Sequence, residues 1–237
     1  MSETYAKCND KNDRHRRTSR GLEPRPVFYI ASEGENTEPD YFEIILAGHC
    51  PDVRIEILKE TPDIRGNDPI KLKERIQKKL RGKIDKRIIS RCEAWVVVDR
   101  DEKTWTVEQL NEVANWVSAE NKKKAPDVHG MALSNPCFEF WLLLHFKEGT
   151  GALDSKNCKS KLKKELELGY KNKRLNDPKV RELFTKKAIK DAIKRSKIKN
   201  KDLDEPWPRQ PGHTTMHILV QHILDAADNI SKQSNTR

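Results

Sequence analysis

Three acidic residues in this chain have the types and the spacing that bind a hard divalent cation. Asp99 and Asp101 stand two apart directly after the apolar run 94–98, and Glu33 directly follows the apolar run 26–32. Mg²⁺ binds oxygen atoms and combines few protein carboxylates with water and with phosphate oxygens of a substrate. A cation held in this way polarises a phosphoryl group and activates water. We therefore predict metal-dependent phosphoryl transfer, with Glu33, Asp99 and Asp101 as ligands of Mg²⁺ or Mn²⁺.

A structural interpretation of the same acids also exists. Acidic residues at strand ends form turns and cap helices, and an isolated Asp-x-Asp pair is weak evidence for catalysis. The two acidic motifs together favour a metal site more than either does alone, because Glu33 ends one apolar run and Asp99 with Asp101 ends another.

The elements that must position these acids alternate between strand and helix over residues 26–146. This order predicts an α/β fold with a mostly parallel sheet flanked by helices. The predicted strands are 26–32, 53–58, 94–98 and 129–133. Ligands of open parallel sheets bind at the carboxyl ends of the strands. If the first and third strands are neighbours, the three carboxylates meet at one edge of the sheet.

Helices are predicted from apolar spacing and from end signals. The helix over 37–47 has a buried stripe, and Thr106 with Gln109 resembles a capping box for a helix ending near 121. The remaining predicted helices are one opened by Pro69, an apolar one after Pro136, Lys-rich ones over 155–168 and 177–196, and one over 214–230 with Ile218, Leu219, Ile223 and Leu224 inward. We predict a flexible basic arm (1–25), a catalytic α/β domain (26–150) and a Lys-rich helical extension packing on it (151–237).

Composition narrows the classes of protein that the chain can be. No apolar run reaches the roughly 20 residues that span a bilayer, and the polar start has no apolar core of a secretory signal. The five cysteines are scattered without a CxxC pair, which argues against a disulfide framework or a zinc knuckle and favours the cytoplasm. They are Cys8, Cys50, Cys92, Cys137 and Cys158.

The net charge of +10 is unevenly distributed along the chain. Residues 155–201 contain 18 Lys and Arg against 5 Asp and Glu, whereas residues 27–154 and 202–237 together carry −6. One interpretation is that the basic segment binds the phosphate backbone of a nucleic acid beside an acidic metal centre. The other is that it forms a solvated helix surface without a specific partner. The predicted nucleic-acid-binding residues are Lys159, Lys161, Lys163, Lys164, Lys171, Lys173 and Arg174.

Histidines and aromatic residues offer weaker candidates. His145 lies in the apolar helix shortly after Glu139 and can assist proton transfer, although a buried structural histidine is the more common case. His213 and His217 have a zinc-like spacing but lack the glutamate of the His-Glu-x-x-His motif. We expect Phe138 and Trp141 in the core.

Three blocks of the sequence resemble the signature blocks of the RloB-like proteins. They are EGENTE (33–38), VDRD (98–101) and SNPCFEFWL (134–142), and the resemblance extends over about residues 26–226. That family is similar to the Toprim group of topoisomerases, DnaG-type primases and OLD-family nucleases. The resemblance implies a Toprim/Rossmann-like fold and a Mg²⁺-dependent endonuclease for DNA or RNA in prokaryotic antiviral defence, of the abortive-infection type. A separate ATPase subunit is a further implied partner.

The resemblance also implies roles for individual residues. Glu33 takes a metal-binding or acid–base role, Asp99 and Asp101 form the metal-binding pair, and Glu38 and Glu139 become further catalytic acids. Both Glu38 and Glu139 also stand at predicted helix starts, where the helix dipole favours any acid. The stretch 210–215 departs from the family's Asn-Pro-Ser-Thr-like block at the Asn and Ser positions, which puts a substrate contact there in doubt.

Two other functions share these features. A non-catalytic nucleic-acid-binding or regulatory subunit would keep the acidic edge and cut nothing, and a primase-like nucleotidyl transferase would use the same site. The intact acids favour an enzyme, and no nucleotide-binding element or P-loop is identifiable in the sequence.

Overall fold

The computed structural model contains a five-stranded sheet in the order β2-β1-β3-β4-β5. It describes residues 25–81, 92–100, 105–123, 128–149, 151, 154–166, 175–203 and 205–235. The strands are β1 (Val27–Ser32), β2 (Arg54–Ile57), β3 (Cys92–Asp99), β4 (Val128–Asn135) and β5 (His213–Thr214). β1 pairs in parallel with β2 and β3, β3 pairs in parallel with β4, and β5 is antiparallel to β4. The predicted α/β fold with a mostly parallel sheet is therefore confirmed.

Helices surround the sheet and follow the predicted positions. In chain order they are α1 (Thr37–Asp40), a π-helical stretch (Tyr41–Leu46), α2 (Ala47–His49), α3 (Pro69–Arg81), α4 (Val107–Lys122), α5 (Phe138–Leu143), α6 (Ser155–Leu166), α7 (Pro178–Arg181), α8 (Lys186–Lys199) and α9 (Met216–Asn235). The capping box at the start of α4 is present, with both Thr106–Gln109 hydrogen bonds formed. Among the described residues, no helix is long and apolar enough to cross a bilayer.

The two faces of the sheet are both covered, as the unbroken apolar strands predict. Alternate strand residues point to opposite faces. Phe28 and Ile30 pack in one cluster with α5, α6, α8 and α9, whereas Ala31 and Val96 pack with α3 and α4 on the other face. Buried side chains of the Lys-rich helices, such as Cys158 and Ile189, thus belong to the same core as β1.

Some element boundaries differ from the predicted ones. The predicted helix 177–196 divides into α7 and α8, because Thr185 caps α8 by accepting a hydrogen bond from the backbone N–H of Ala188. β5 was not predicted, since a two-residue strand has no measurable periodicity. The inward position predicted for Ile218 is wrong: its side chain is exposed, because the buried stripe through Leu219 and Ile223 leaves it on the opposite side of α9.

Candidate active site at the carboxyl edge of the sheet

The carboxyl ends of β1, β3 and β4 lie side by side and carry the predicted acids. Glu33 follows β1 and its backbone N–H donates to the carbonyl of Val97 on β3 at 3.1 Å. Asp99 is the last residue of β3, and Glu139 follows β4 in the first turn of α5. The first and third strands are neighbours, which was the condition for convergence. We call Glu33, Glu38, Asp99 and Glu139 the acidic cluster.

Glu33 is held in place by two hydrogen bonds from the neighbouring strand and its loop. Its Oε2 accepts from the backbone N–H of Asp99 at 3.1 Å and from Nε1 of Trp105 at 2.8 Å. The half-buried carboxylate is therefore oriented across the gap between β1 and β3. Sequence reasoning missed Trp105, because a tryptophan before a helix cap carries no signal that it will donate to a distant carboxylate.

Asp99 combines an unpartnered carboxyl oxygen with a raised pKa. Its Oδ1 is shielded from solvent and has no hydrogen-bond partner. Burial raises the pKa of Asp99 well above its usual range, and the negative charges of Glu38, Glu33 and Glu139 raise this pKa further. The backbone N–H of Phe138 opposes this shift in part. A buried carboxyl oxygen without a donor is costly, so this site favours a proton or a cation on Asp99.

Glu38 lies inside the cluster although it also stands in the first turn of α1. Its side chain is only 5% exposed, and burial raises its pKa to about 7, against hydrogen bonds from its own backbone N–H and that of Gly34. The charges of Glu139 and Glu33 add to the increase. A Cβ on Gly34 would lie 1.8 Å from Oε2 of Glu38. Glycine at this position therefore allows the carboxyl group to approach the turn after β1.

Glu139 connects the cluster to the basic helix α6. Nζ of Lys159 lies 3.8 Å from Oε1 of Glu139. The pKa of Lys159 is raised chiefly by Glu139, with smaller contributions from Asp99 and Glu38, while partial burial lowers it. Lys159 was predicted as a contact to a nucleic-acid backbone, and the structure places its ammonium group at the rim of the acidic cluster.

The other predicted nucleic-acid contacts have different surroundings. Lys163 and Lys164 are exposed on α6, and Lys161 is half-buried there. Lys171, Lys173 and Arg174 lie outside the described residues, as do Asp101 and residues 1–24 of the arm predicted over 1–25. The positions of these residues relative to the cluster stay predictions.

A hard divalent cation needs several oxygen donors around one point. Within the described ranges, no three Asp, Glu, His or Cys side chains lie close enough to hold one ion in their present arrangement. Two observations nevertheless suit Mg²⁺. The donors are all carboxylate oxygens, and Asp99 Oδ1 lacks a partner. Asp99 with Glu33 and the neighbouring Asp101 would be the protein ligands, and water or phosphate would supply the remaining oxygens.

The stretch 209–215 forms part of the frame around β4. Asn135 Nδ2 donates to the carbonyl of Arg209 at 2.9 Å, and the carbonyl of Asn135 accepts from the N–H of Gly212 at 2.8 Å. The hydroxyl groups of Ser134 and Thr214 lie 2.9 Å apart. These contacts tie the stretch to the strand that precedes Glu139, so its polar groups serve the architecture of this edge.

The histidine candidates have structural surroundings. His145 is buried, with Nε2 3.0 Å from the hydroxyl of Tyr41, and burial lowers its pKa to about 3. His217 Nδ1 lies 2.8 Å from Oγ of Ser196 on α8. Phe138 and Trp141 are both buried in the core as predicted.

Comparisons with known proteins identify the family of the chain. No curated protein and no solved structure matches it. A family model described as RloB-like protein matches residues 28–223. The matched span includes every residue of the acidic cluster. The chain therefore belongs to the RloB-like protein family.

Proposed function

We propose that this protein is a Mg²⁺- or Mn²⁺-dependent endonuclease that hydrolyses phosphodiester bonds of DNA or RNA. The observation that carries the proposal is Asp99, whose buried Oδ1 has no hydrogen-bond partner and whose pKa is raised by the charges of Glu38, Glu33 and Glu139 in addition to burial. A cation bound there would replace the proton that the crowded carboxyl groups otherwise favour. The proposed setting in prokaryotic antiviral defence comes from the resemblance of the sequence blocks to RloB-like and Toprim-like proteins.

The residues of the cluster would divide the work. Asp99, Asp101 and Glu33 would hold the cation, which when bound polarises the scissile phosphoryl group and activates water. Glu33 needs a fixed orientation for this role, and Trp105 supplies it through the 2.8 Å hydrogen bond. Glu38, with a pKa of about 7, can accept or release a proton near neutral pH.

The cations of α6 would receive the substrate. Lys159 lies beside Glu139, and its ammonium group can contact the phosphate that is attacked. The exposed Lys163 and Lys164 follow on the same helix and can neutralise backbone phosphates further along the strand. One helix would thus join the reaction site to a sequence-independent grip.

The test is a cleavage assay with purified full-length protein on plasmid, single-stranded DNA and tRNA. Each substrate is incubated with Mg²⁺, Mn²⁺ or EDTA, and wild type is compared with Asp99→Asn, Glu33→Gln and the matched control Glu43→Gln. Glu43 is exposed on the π-helical stretch that follows α1. We expect metal-dependent cleavage that Asp99→Asn and Glu33→Gln reduce by about a hundred-fold or more, whereas the control retains it.

Two results would contradict the proposal. Cleavage that survives unchanged in Asp99→Asn and Glu33→Gln would remove the cluster from the reaction. Nucleic-acid binding of normal strength without cleavage of any substrate in any metal would instead favour the non-catalytic binding subunit.

A further inference from the structure

A cavity of about 330 Å³ lies beside the acidic cluster, where the carboxyl ends of β1 and β2 meet the start of α3. Ser32 and Gly34, which flank Glu33 in the chain, line this cavity. Lys59 and Glu60, which follow β2, and Arg75 of α3 line it as well. The cavity therefore opens at the same edge of the sheet as the acidic cluster, which is where open parallel sheets bind ligands.

Arg75 is the unusual residue of this cavity. Its side chain is only 5% exposed, and its Nε has no hydrogen-bond partner. Its terminal nitrogen Nη2 donates to the carbonyl of Gly66 and, at 2.8 Å, to Oδ1 of Asn67, and it lies 3.4 Å from Oε1 of Glu60. A buried guanidinium N–H without an acceptor costs free energy. The position thus favours a ligand that brings an oxygen acceptor.

The remaining walls indicate what kind of ligand carries that acceptor. Lys59 adds a second cation, which together with Arg75 suits a phosphate group. The carboxylates of Glu35 and Glu60 can accept hydrogen bonds from hydroxyl groups. Ile57 and Leu58 supply apolar surface. A nucleotide combines a phosphate, hydroxyl or ring donors and apolar faces, and the cavity volume suits a ligand of about that size.

We propose that this cavity binds the phosphate and sugar of the nucleotide next to the bond that is cleaved at the acidic cluster. The position of that bond rests on the nuclease function proposed above, whereas binding of a nucleotide in the cavity is independent of it. The cavity would hold the nucleic-acid strand on one side of the reacting phosphate, and Lys159 would contact the strand on the other side of Glu139.

The cavity continues along β2, which is an edge strand of the sheet. A larger cavity of about 790 Å³ shares Lys59 and Arg75 with it and adds Lys78, together with Arg54 and Lys79, which both pair with Glu56 on the same wall. Lys78 pairs with Asp63 at 2.6 Å with both side chains largely exposed. Such exposed ion pairs contribute little to stability, so a phosphate can replace the carboxylate. This cationic wall provides a path for the strand beyond the first nucleotide.

The first experiment measures binding to full-length protein without metal. The probes are thymidine 5′-monophosphate, uridine 5′-monophosphate and inorganic phosphate, titrated by isothermal calorimetry into wild type and variants. Arg75→Gln removes the buried cation, and Lys59→Ala removes an exposed cation without disturbing the core. Lys71→Ala is the matched control, since Lys71 also lies on α3 but does not line the cavity.

We expect both nucleotides to bind more tightly than phosphate, and Arg75→Gln and Lys59→Ala to weaken that binding about ten-fold. The control should stay within about two-fold of wild type. Three results would each overturn the site. The nucleotides do not bind, inorganic phosphate binds as tightly as the nucleotides, or Lys71→Ala weakens nucleotide binding as much as Arg75→Gln and Lys59→Ala do. Lys59→Ala keeps the test decisive if Arg75→Gln proves unstable in thermal unfolding.

The second experiment separates this site from the nuclease function. With an oligonucleotide that wild type cleaves, Lys59→Ala should raise KM about ten-fold and leave kcat largely unchanged, since it removes binding away from the reacting phosphate. An unchanged KM would refute the position of the cavity on the substrate path and leave the nuclease function intact. Nucleotide binding that depends on Arg75 in a protein that cleaves nothing would support the nucleotide site and remove the nuclease function.

Discussion

Replacing Glu38 by glutamine tests the electrostatic description of the acidic cluster directly. Glu38 is buried beside Asp99, Glu33 and Glu139, and its pKa is raised from 4.5 to about 7. Burial is the main cause, and the charges of Glu139 and Glu33 add to it. Glutamine has nearly the same shape but never carries the charge. The substitution should therefore remove a penalty that wild type suffers only when Glu38 is ionised.

The size and sign of the effect follow from the raised pKa. The folded state holds the proton on Glu38 up to about pH 7, whereas the unfolded chain releases it near pH 4.5. The free energy of unfolding of wild type therefore falls as pH rises through this window. At 1.36 kcal/mol per pKa unit, the decrease reaches about 3 kcal/mol at pH 8. Glutamine keeps only one acceptor oxygen for the N–H groups of Gly34 and residue 38, which costs about 1 kcal/mol. The net expected gain is about 2 kcal/mol at pH 8.

The assay is urea unfolding of wild type and Glu38→Gln at several pH values between 4 and 8, in EDTA. The free energy of unfolding of the variant should equal that of wild type within about 1 kcal/mol at pH 4 and exceed it by about 2 kcal/mol at pH 8. Glu35→Gln is the control, because Glu35 is exposed in the same turn. Addition of Mg²⁺ should stabilise wild type at pH 8 more than the variant, since a bound cation offsets the same repulsion.

The refuting result is a difference between the two proteins that does not change with pH. Such a result would mean that the carboxyl group of Glu38 is not held in its neutral form by burial and by its acidic neighbours. A variant less stable than wild type at pH 8 would also refute the reasoning, because it would assign Glu38 a stabilising charge.

Three further predictions concern single contacts. Trp105→Phe removes the donor to Glu33 Oε2 and should reduce the cleavage rate about ten-fold in a single-turnover assay. The melting temperature of the variant should stay within a few degrees of wild type. An unchanged rate would show that Glu33 does not need this hydrogen bond. Lys159→Ala should lower kcat more than Lys163→Ala on the same helix, because Nζ of Lys159 lies 3.8 Å from Oε1 of Glu139 whereas Lys163 is exposed. Lys163→Ala should mainly flatten the salt dependence of binding measured by fluorescence anisotropy. Equal effects of the two substitutions would argue against Lys159 at the reacting phosphate. The pKa of His222 is raised, chiefly by its hydrogen bond to Glu93. The pair therefore stabilises the fold below about pH 6.5, and this contribution is lost as pH rises through the folded pKa. His222→Gln should remove this pH dependence in thermal unfolding, and the effect should be less than about 1 kcal/mol because the side chain is partly exposed.

Much of the fold is readable from local patterns. The unbroken apolar run that forms β1 predicts a strand covered on both faces, and all six of its residues are buried. Thr106 and Gln109 form the capping box that their spacing predicts. Patterns fail where the element is too short to show a period, as in β5, or where a cap interrupts a helical run, as at Thr185.

The sequence predicted which acids lie at the carboxyl edge of the sheet, but not their burial or all of their contacts. Glu33 and Asp99 were predicted to converge because both follow apolar strands of a parallel sheet, and β1 and β3 are indeed neighbours. The burial of Glu38 and the free oxygen of Asp99 were not predictable, since both depend on how α1 and α5 close over the strand ends. Trp105 and Lys159 reach the cluster from loops and helices whose sequence does not specify a distant partner.

Local properties of the chain, namely hydrophobic period, cap residues and charge, are enough to predict the alternation of strands and helices, the acidic strand ends and the excess of lysine after residue 155. Strand order, and with it the meeting of Glu33 and Asp99, was decided by tertiary packing of β1 against β3. Tertiary structure also decided the raised pKa values of Glu38 and Asp99, since a carboxyl group becomes hard to ionise only when other parts of the chain exclude water from it and place like charges beside it.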